Sequence, residues 1–177
     1  MNFLFQETKL DKLIVVTRDE FIDERGQFSR IFCDKEFSSF GLKGPIRQIN
    51  HSFTEKTGTV RGMHFQSNPF EEVKVVTCLH GEVFDVVVDF RKNSKTFLQW
   101  HGEVLNEDNR KLLLIPKGFA HGFQTLRDNT ELIYLHSEPY SKEYEGGLNP
   151  FDKKIDIKWP LEITNISPKD LKHPYLD

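Results

Sequence analysis

The sequence predicts an all-β fold, a sandwich or barrel of the jelly-roll type. Three observations carry this. Short runs rich in Val, Ile, Leu and Phe recur through the middle of the chain and are bounded by turn residues. Helix signals are few and short. Sixteen phenylalanines in 177 residues suit a strongly aromatic core or a cleft with ring walls. The length fits one domain spanning residues 1–177.

In chain order, "KLIVVTR" (12–18) reads as a strand, and "DERGQF" (23–28) as a charged turn made by Gly26. "DKEFSSFG" (34–41) reads as a short helix stopped by Gly41. "VKVVTCLHGEVFDVVVDFR" (73–91) reads as two strands joined by a tight turn at His80-Gly81. In the second of these, Phe84, Val86, Val88 and Phe90 share one face, and Val83, Asp85 and Val87 the other. Both faces are largely apolar, as in a strand between layers, so the Asp85 carboxylate needs a partner. "RKLLLIP" (110–116) and "TELIYLHS" (130–137) are further strands, preceded by the turn residues "NEDN" and "RDNT". "SPKDLKH" (167–173) reads as a short helical turn, with Ser167 as cap and Pro168 in the first helical position.

Composition narrows the function classes. The formal net charge is −3, with the charges spread along the chain, which argues against a nucleic-acid or membrane surface. No apolar run is long enough to span a bilayer, and "MNFLFQETKL" lacks the layout of a signal peptide. Cys33 and Cys78 form neither a close metal spacing nor a disulfide framework, so a reduced, cytoplasmic setting is expected.

Two stretches carry candidate chemistry, "TVRGMHFQ" (59–66) and "LIPKGFAHGF" (114–123). A metal reading takes His64 and His121 with Glu71 or Glu72 as third ligand. It is not favoured, because Phe65 and Gln66 follow His64 and no His-x-His forms. Arg61 and His64 have odd separation and would face opposite ways on an ideal strand, but Gly62 offers a bulge that brings them together. A cluster of Arg61, Lys74 and His121 in a β core then calls for an anion, and a phosphate group suits it. By themselves Tyr134, Tyr140 and Tyr144 read as ordinary aromatic residues, and Glu145-Gly146-Gly147 as a loop.

Seven stretches together identify a resemblance: "DERGQF", "QINHS", "VRGMHFQ", "EVKVVTCLHGEVFDVVVDFRKNSKTF", "IPKGFAHGFQTL", "IDIKWP" and "SPKD". In this order they resemble the nucleotide-sugar 4-keto epimerases, the dTDP-4-dehydrorhamnose 3,5-epimerase family, from about Leu13 to Asp170. The resemblance implies a cupin jelly roll, a homodimer with exchanged N-terminal strands, a nucleotide-diphosphate sugar as substrate, and no metal or organic cofactor. It implies His64 as general base, Asp170 as the carboxylate that orients it, and Tyr134 as general acid. Lys74 and His121 fall near the substrate sugar, with Lys74 as donor to the enolate oxygen. Arg25, Arg30, Gln48, Asn50, Arg61, Tyr140, Glu145 and Lys169 fall at substrate-binding positions. Three departures stand out. Arg30 replaces a common glutamate, Ile49 a common aspartate, and Leu148-Asn149-Pro150 a common Trp-Asn-Asp; they bear on which nucleotide base and sugar are taken. The rival readings are a 3,4-ketoisomerase, a metal-dependent cupin oxygenase, and a non-catalytic sugar-nucleotide binder.

Overall fold

The structure, a computed structural model, describes residues 2–176. Two antiparallel sheets face each other. The first has the order β1-β2-β10-β7-β12-β5. Its strands are β1 (Phe3–Glu7), β2 (Ile14–Arg18), β5 (Gln48–Thr54), β7 (Lys74–His80), β10 (Lys111–Ile115) and β12 (Thr130–His136). The second has the order β13-β6-β11-β8-β9. It is built from β6 (Thr59–Gln66), β8 (Glu82–Asp89), β9 (Trp100–Asn106), β11 (Phe119–Thr125) and β13 (Glu145–Gly147), with β14 (Asn165–Ile166) also pairing with β6. A separate hairpin, β3 (Glu20–Asp23) with β4 (Gly26–Ser29), stands outside both sheets. The layout is the jelly-roll β fold read from the sequence.

Period-two alternation explains the layering. Val76, Cys78, Leu132, Leu113 and Ile115 point inward from the first sheet and meet Val83, Val87, Phe119 and Phe123 of the second. Burying such a side chain fully contributes roughly 1.5–3 kcal/mol. Val75, Leu112, Leu114 and Leu135 point outward under α1 (Asp34–Phe37) and the 3-10 turn Ser38–Phe40 that follows it. Val86 and Val88 face out under the C-terminal segment, against Leu148, Ile155 and Ile157. The two apolar faces of β8 are thus both covered.

Gly26 and Gly41 take positive φ, as the turn and the helix stop require. Ser167 caps α2 (Pro168–Leu171) by accepting from the Asp170 N–H at 3.0 Å. One expectation is corrected in its geometry. β7 and β8 do join tightly through Gly81 (φ 78°), yet they do not pair; the turn is a corner between sheets. β7 instead lies between β10 and β12, which pair with its two edges through the backbone. A Cβ on Gly81 would come within 2.4 Å of Thr130 Oγ1, so the corner needs glycine. β1, β5, β9 and β11 carry weak alternation and are not separately legible in the sequence.

Candidate active site

The site lies where the two sheets part. A cavity of about 490 Å3 is lined from β5 and β12 on one side and from β6 and β11 on the other. Lys74 of β7 completes its floor.

A bulge brings Arg61 and His64 to this cavity. Across β6 and β11, His121 pairs with His64 while Phe123 pairs with Arg61, so three steps on β6 oppose two on β11. The extra residue lets Met63 bury outward while its neighbours face in. Gly62 sits at φ 126°, and a Cβ there would meet Gly122 Cα at 2.5 Å, so only glycine fits.

His64 and Asp170 form a dyad. His64 Nε2 donates to Asp170 Oδ1 at 2.7 Å, and the Gly62 N–H donates to Oδ2 at 3.1 Å. Burial pushes the Asp170 carboxyl up, but the hydrogen bonds from His64 and Gly62 outweigh it and hold the group below its usual range. A carboxylate on Nε2 leaves Nδ1 as the lone-pair nitrogen of a neutral His64.

Tyr134 lines the same cavity from the opposite sheet. Its hydroxyl and Ser52 Oγ are 2.8 Å apart. Burial raises the phenol well above its usual value, so it stays protonated at neutral pH and is available as a donor. His121 Nε2 donates to Asp85, 2.9 Å from both carboxylate oxygens, which answers the need for a partner at Asp85. Burial lowers the pKa of His121, keeping the ring neutral.

Lys74 is held by a group the sequence does not advertise. Glu72 Oε1 lies 3.3 Å from Lys74 Nζ, and Glu72 Oε2 accepts from His136 Nδ1 at 2.7 Å. Burial works to raise the Glu72 pKa, but the His136 hydrogen bond and the Lys74 charge pull it below the usual range. His136 Nε2 then faces Asn50 Nδ2 at 3.4 Å. His136 and Ser52 are cavity residues that sequence reasoning missed. The alternation of Tyr134 and His136 on one strand face was the available signal.

At the other end, Gln48, Tyr140 and Glu145 line a smaller recess shared with His64, Lys74 and His136. Tyr140 Oη donates to Glu145 at 2.9 Å, and Lys169 Nζ donates to both Glu145 oxygens at 2.7 Å. Two expected residues are not brought to this chain's cavity. Arg25 pairs with Asp23 at the tip of the β3–β4 hairpin, and Arg30 lies 3.4 Å from Glu36. The alternative metal set does not assemble either: His121 is tied to Asp85, and Glu72 to His136 and Lys74. Glu71 lines a different groove.

A jelly roll that holds a histidine on one sheet, oriented by a carboxylate from a short helix, and a protonated tyrosine on the other sheet defines an enzyme that moves protons on a sugar-sized molecule. The family model described as dTDP-4-dehydrorhamnose 3,5-epimerase matches residues 7–177, and the chain belongs to this family. The dTDP-4-dehydrorhamnose 3,5-epimerase of Shigella flexneri is 42% identical over 166 residues, covering 93% of this chain and 91% of the relative. That of Methanothermobacter thermautotrophicus is 41% identical over 172 residues, covering 96% and 92%. The crystal structure of the Bacillus anthracis enzyme with TDP and PPi bound superposes with a TM-score of 0.94 at 38% identity, covering 99% of this chain and 100% of that one. The Legionella pneumophila enzyme in complex with dTDP-4-keto-L-rhamnose gives 0.91 at 37% identity, covering 96% and 90%. A 3'-monoepimerase from Streptomyces bikiniensis in complex with dTDP-quinovose gives 0.89 at 28% identity, covering 95% and 85%. The expected family and fold are therefore borne out.

Proposed function

We propose that this enzyme inverts C3 and C5 of a dTDP-linked 4-keto-6-deoxy sugar by removing a proton on one face and returning one on the other. One observation carries the reading. His64, backed by Asp170, and Tyr134 come from opposite sheets and line one cavity. The C4 ketone acidifies the neighbouring C–H bonds. His64 Nδ1 takes the proton, and Asp170 stabilises the imidazolium that forms. Lys74, held by Glu72, donates to the enolate oxygen; a preplaced donor of this kind is typically worth about 3–4 kcal/mol. Tyr134 supplies the proton on the far face. The Streptomyces bikiniensis monoepimerase is the reason to assay C3 and C5 separately.

Arg61 supports the binding mode. It lines both the reaction cavity and an adjoining groove of about 720 Å3 that also holds Phe53 and Lys56. A sugar in the first and a nucleoside in the second leave the diphosphate beside Arg61, where a guanidinium binds it by charge-assisted bonds. Arg61→Ala weakens dTDP binding by about 10–100-fold, for a loss of 1.5–3 kcal/mol in hydrogen bonds to a charged group, with little change in folding. Calorimetric titration with dTDP checks this, and an unchanged dissociation constant removes Arg61 from the phosphate site. Arg30 and Ile49 bear on the base, and a panel of dTDP-, GDP- and CDP-linked 4-keto sugars ranks it.

The exposed hairpin supports a homodimer. Phe21, Ile22 and Phe28 expose 58%, 67% and 65% of their surface there, beside Arg25. A homodimer covers these side chains and brings Arg25 and Arg30 to a second copy's cleft. β1 is an edge strand, paired with β2 on one side, and is the element expected to exchange. Sedimentation is expected to give a dimer, and a monomer at working concentration would count against this assembly. Among the described residues no helix is long and apolar enough to cross a membrane. Cys33 and Cys78 are both free thiols, which is compatible with the reduced cytoplasmic setting proposed.

A further inference from the structure

The C-terminal segment brings a second imidazole to the dyad, and the chemistry above gives it no task. His173 follows α2, and its ring lies edge-on to His64, with centroids 5.7 Å apart at 73°. It packs over Gly147, the residue that pairs with His64 across β13 and β6. A Cβ on Gly147 would come within 2.2 Å of His173 Nε2, so the bare backbone makes the room. Among the described residues that buried nitrogen has no hydrogen-bond partner. It lies 4.0 Å from Asp170 Oδ1, the oxygen that already accepts from His64.

One ligand atom from each of His64, Asp170 and His173 falls within 4.8 Å of the others. Two imidazole nitrogens and one carboxylate are a ligand set for a borderline divalent transition metal. A tetrahedral zinc at bond lengths of about 2.0–2.2 Å needs its ligand atoms roughly 3.3–3.5 Å apart. The His64 and His173 nitrogens stand 2.7 Å and 4.0 Å from Asp170 Oδ1, on either side of that value, so closing the set requires both rings to shift.

We propose that His64, Asp170 and His173 form an inhibitory site for Zn2+ or a chemically similar divalent cation. Binding replaces the hydrogen on His64 Nε2 with the metal. The ring keeps its proton by carrying it on Nδ1. The lone pair that removes the substrate proton is then gone, and the base is switched off by its tautomer while water takes the fourth position on the metal. His173 binds through its free Nε2 lone pair, and burial together with the nearby His64 keeps that ring neutral. The inhibition, though not the binding, rests on His64 being the base.

Co2+ titration of the purified full chain tests the binding without substrate. The expected result is a visible absorption band of a low-coordinate nitrogen–oxygen site, saturating at one Co2+ per chain and lost when Zn2+ is added. Zinc is expected to suppress proton exchange in D2O over the same concentrations. His173→Phe keeps the ring volume and removes the ligand atom, and His173→Ala removes both. Each should lower zinc affinity by more than the roughly 10–100-fold that disturbing an outer partner costs, while catalysis without metal persists. A wild-type chain that gives no such band overturns the site, whatever the variants do. So does a band and zinc sensitivity that survive in both variants. Zinc that binds here without slowing exchange overturns the tautomer switch. If every 4-keto sugar nucleotide proves inert while the band appears and depends on His173, the metal site stands and the assigned reaction falls.

Discussion

His64→Asn abolishes both solvent exchange and inversion. Asparagine keeps a polar group near Asp170 but has no titratable nitrogen, and His64 is the cavity histidine whose Nε2 is held by Asp170, which leaves Nδ1 as the base. His121 does not replace it, because that ring is tied to Asp85 and deeply buried. A general base typically contributes about 10²–10⁴-fold, so the loss is plain in a single assay. Incubating a 4-keto sugar nucleotide with the variant in D2O and recording the proton spectrum of the recovered sugar checks it. Circular dichroism confirms that the protein is folded. A folded variant that exchanges at the wild-type rate would place the base elsewhere.

Tyr134→Phe separates the two halves of the reaction. The variant keeps His64, so the enolate still forms. It loses the donor on the opposite sheet, so the enolate takes its proton back from the His64 side. Deuterium then enters the sugar while the configuration is retained, at least at the centre that depends on Tyr134. Inversion there drops by about 10²–10⁴-fold, the range for a general acid. The cost to folding is modest, since Ser52 loses one hydrogen bond worth about 1 kcal/mol. The same spectra, read for coupling constants as well as for deuterium, check it. Normal inversion at both centres in this variant removes Tyr134 from the mechanism.

Much of this site is legible in the sequence because glycine and charge leave marks. Gly62 announces the bulge that turns Arg61 and His64 to one side. Asp85 on an apolar face announces a buried partner, which is His121. Ser167 and Pro168 announce the short helix that presents Asp170. What is not legible depends on pairing between distant strands. Nothing local says that β7 and β8 part at Gly81 and enter different sheets, since a tight turn between two apolar runs serves a hairpin equally well. Glu72 and His136 lie 64 positions apart, and only the register of β7 against β12 joins them. Ser52 meets Tyr134 in the same way, through β5 against β12. Arg25 shows the reverse case: the motif marks it, but the fold of one chain carries it away from its own cleft.

The reaction proposed is proton exchange at carbon, from opposite faces, without movement of the carbonyl. Wild-type enzyme turned over in D2O with dTDP-4-keto-6-deoxyglucose tests it most directly. The expected product carries one deuterium at each centre that inverts, with the ketone still at C4. Inverted product that retains its original hydrogen at those carbons, or a ketone found at C3, would contradict it.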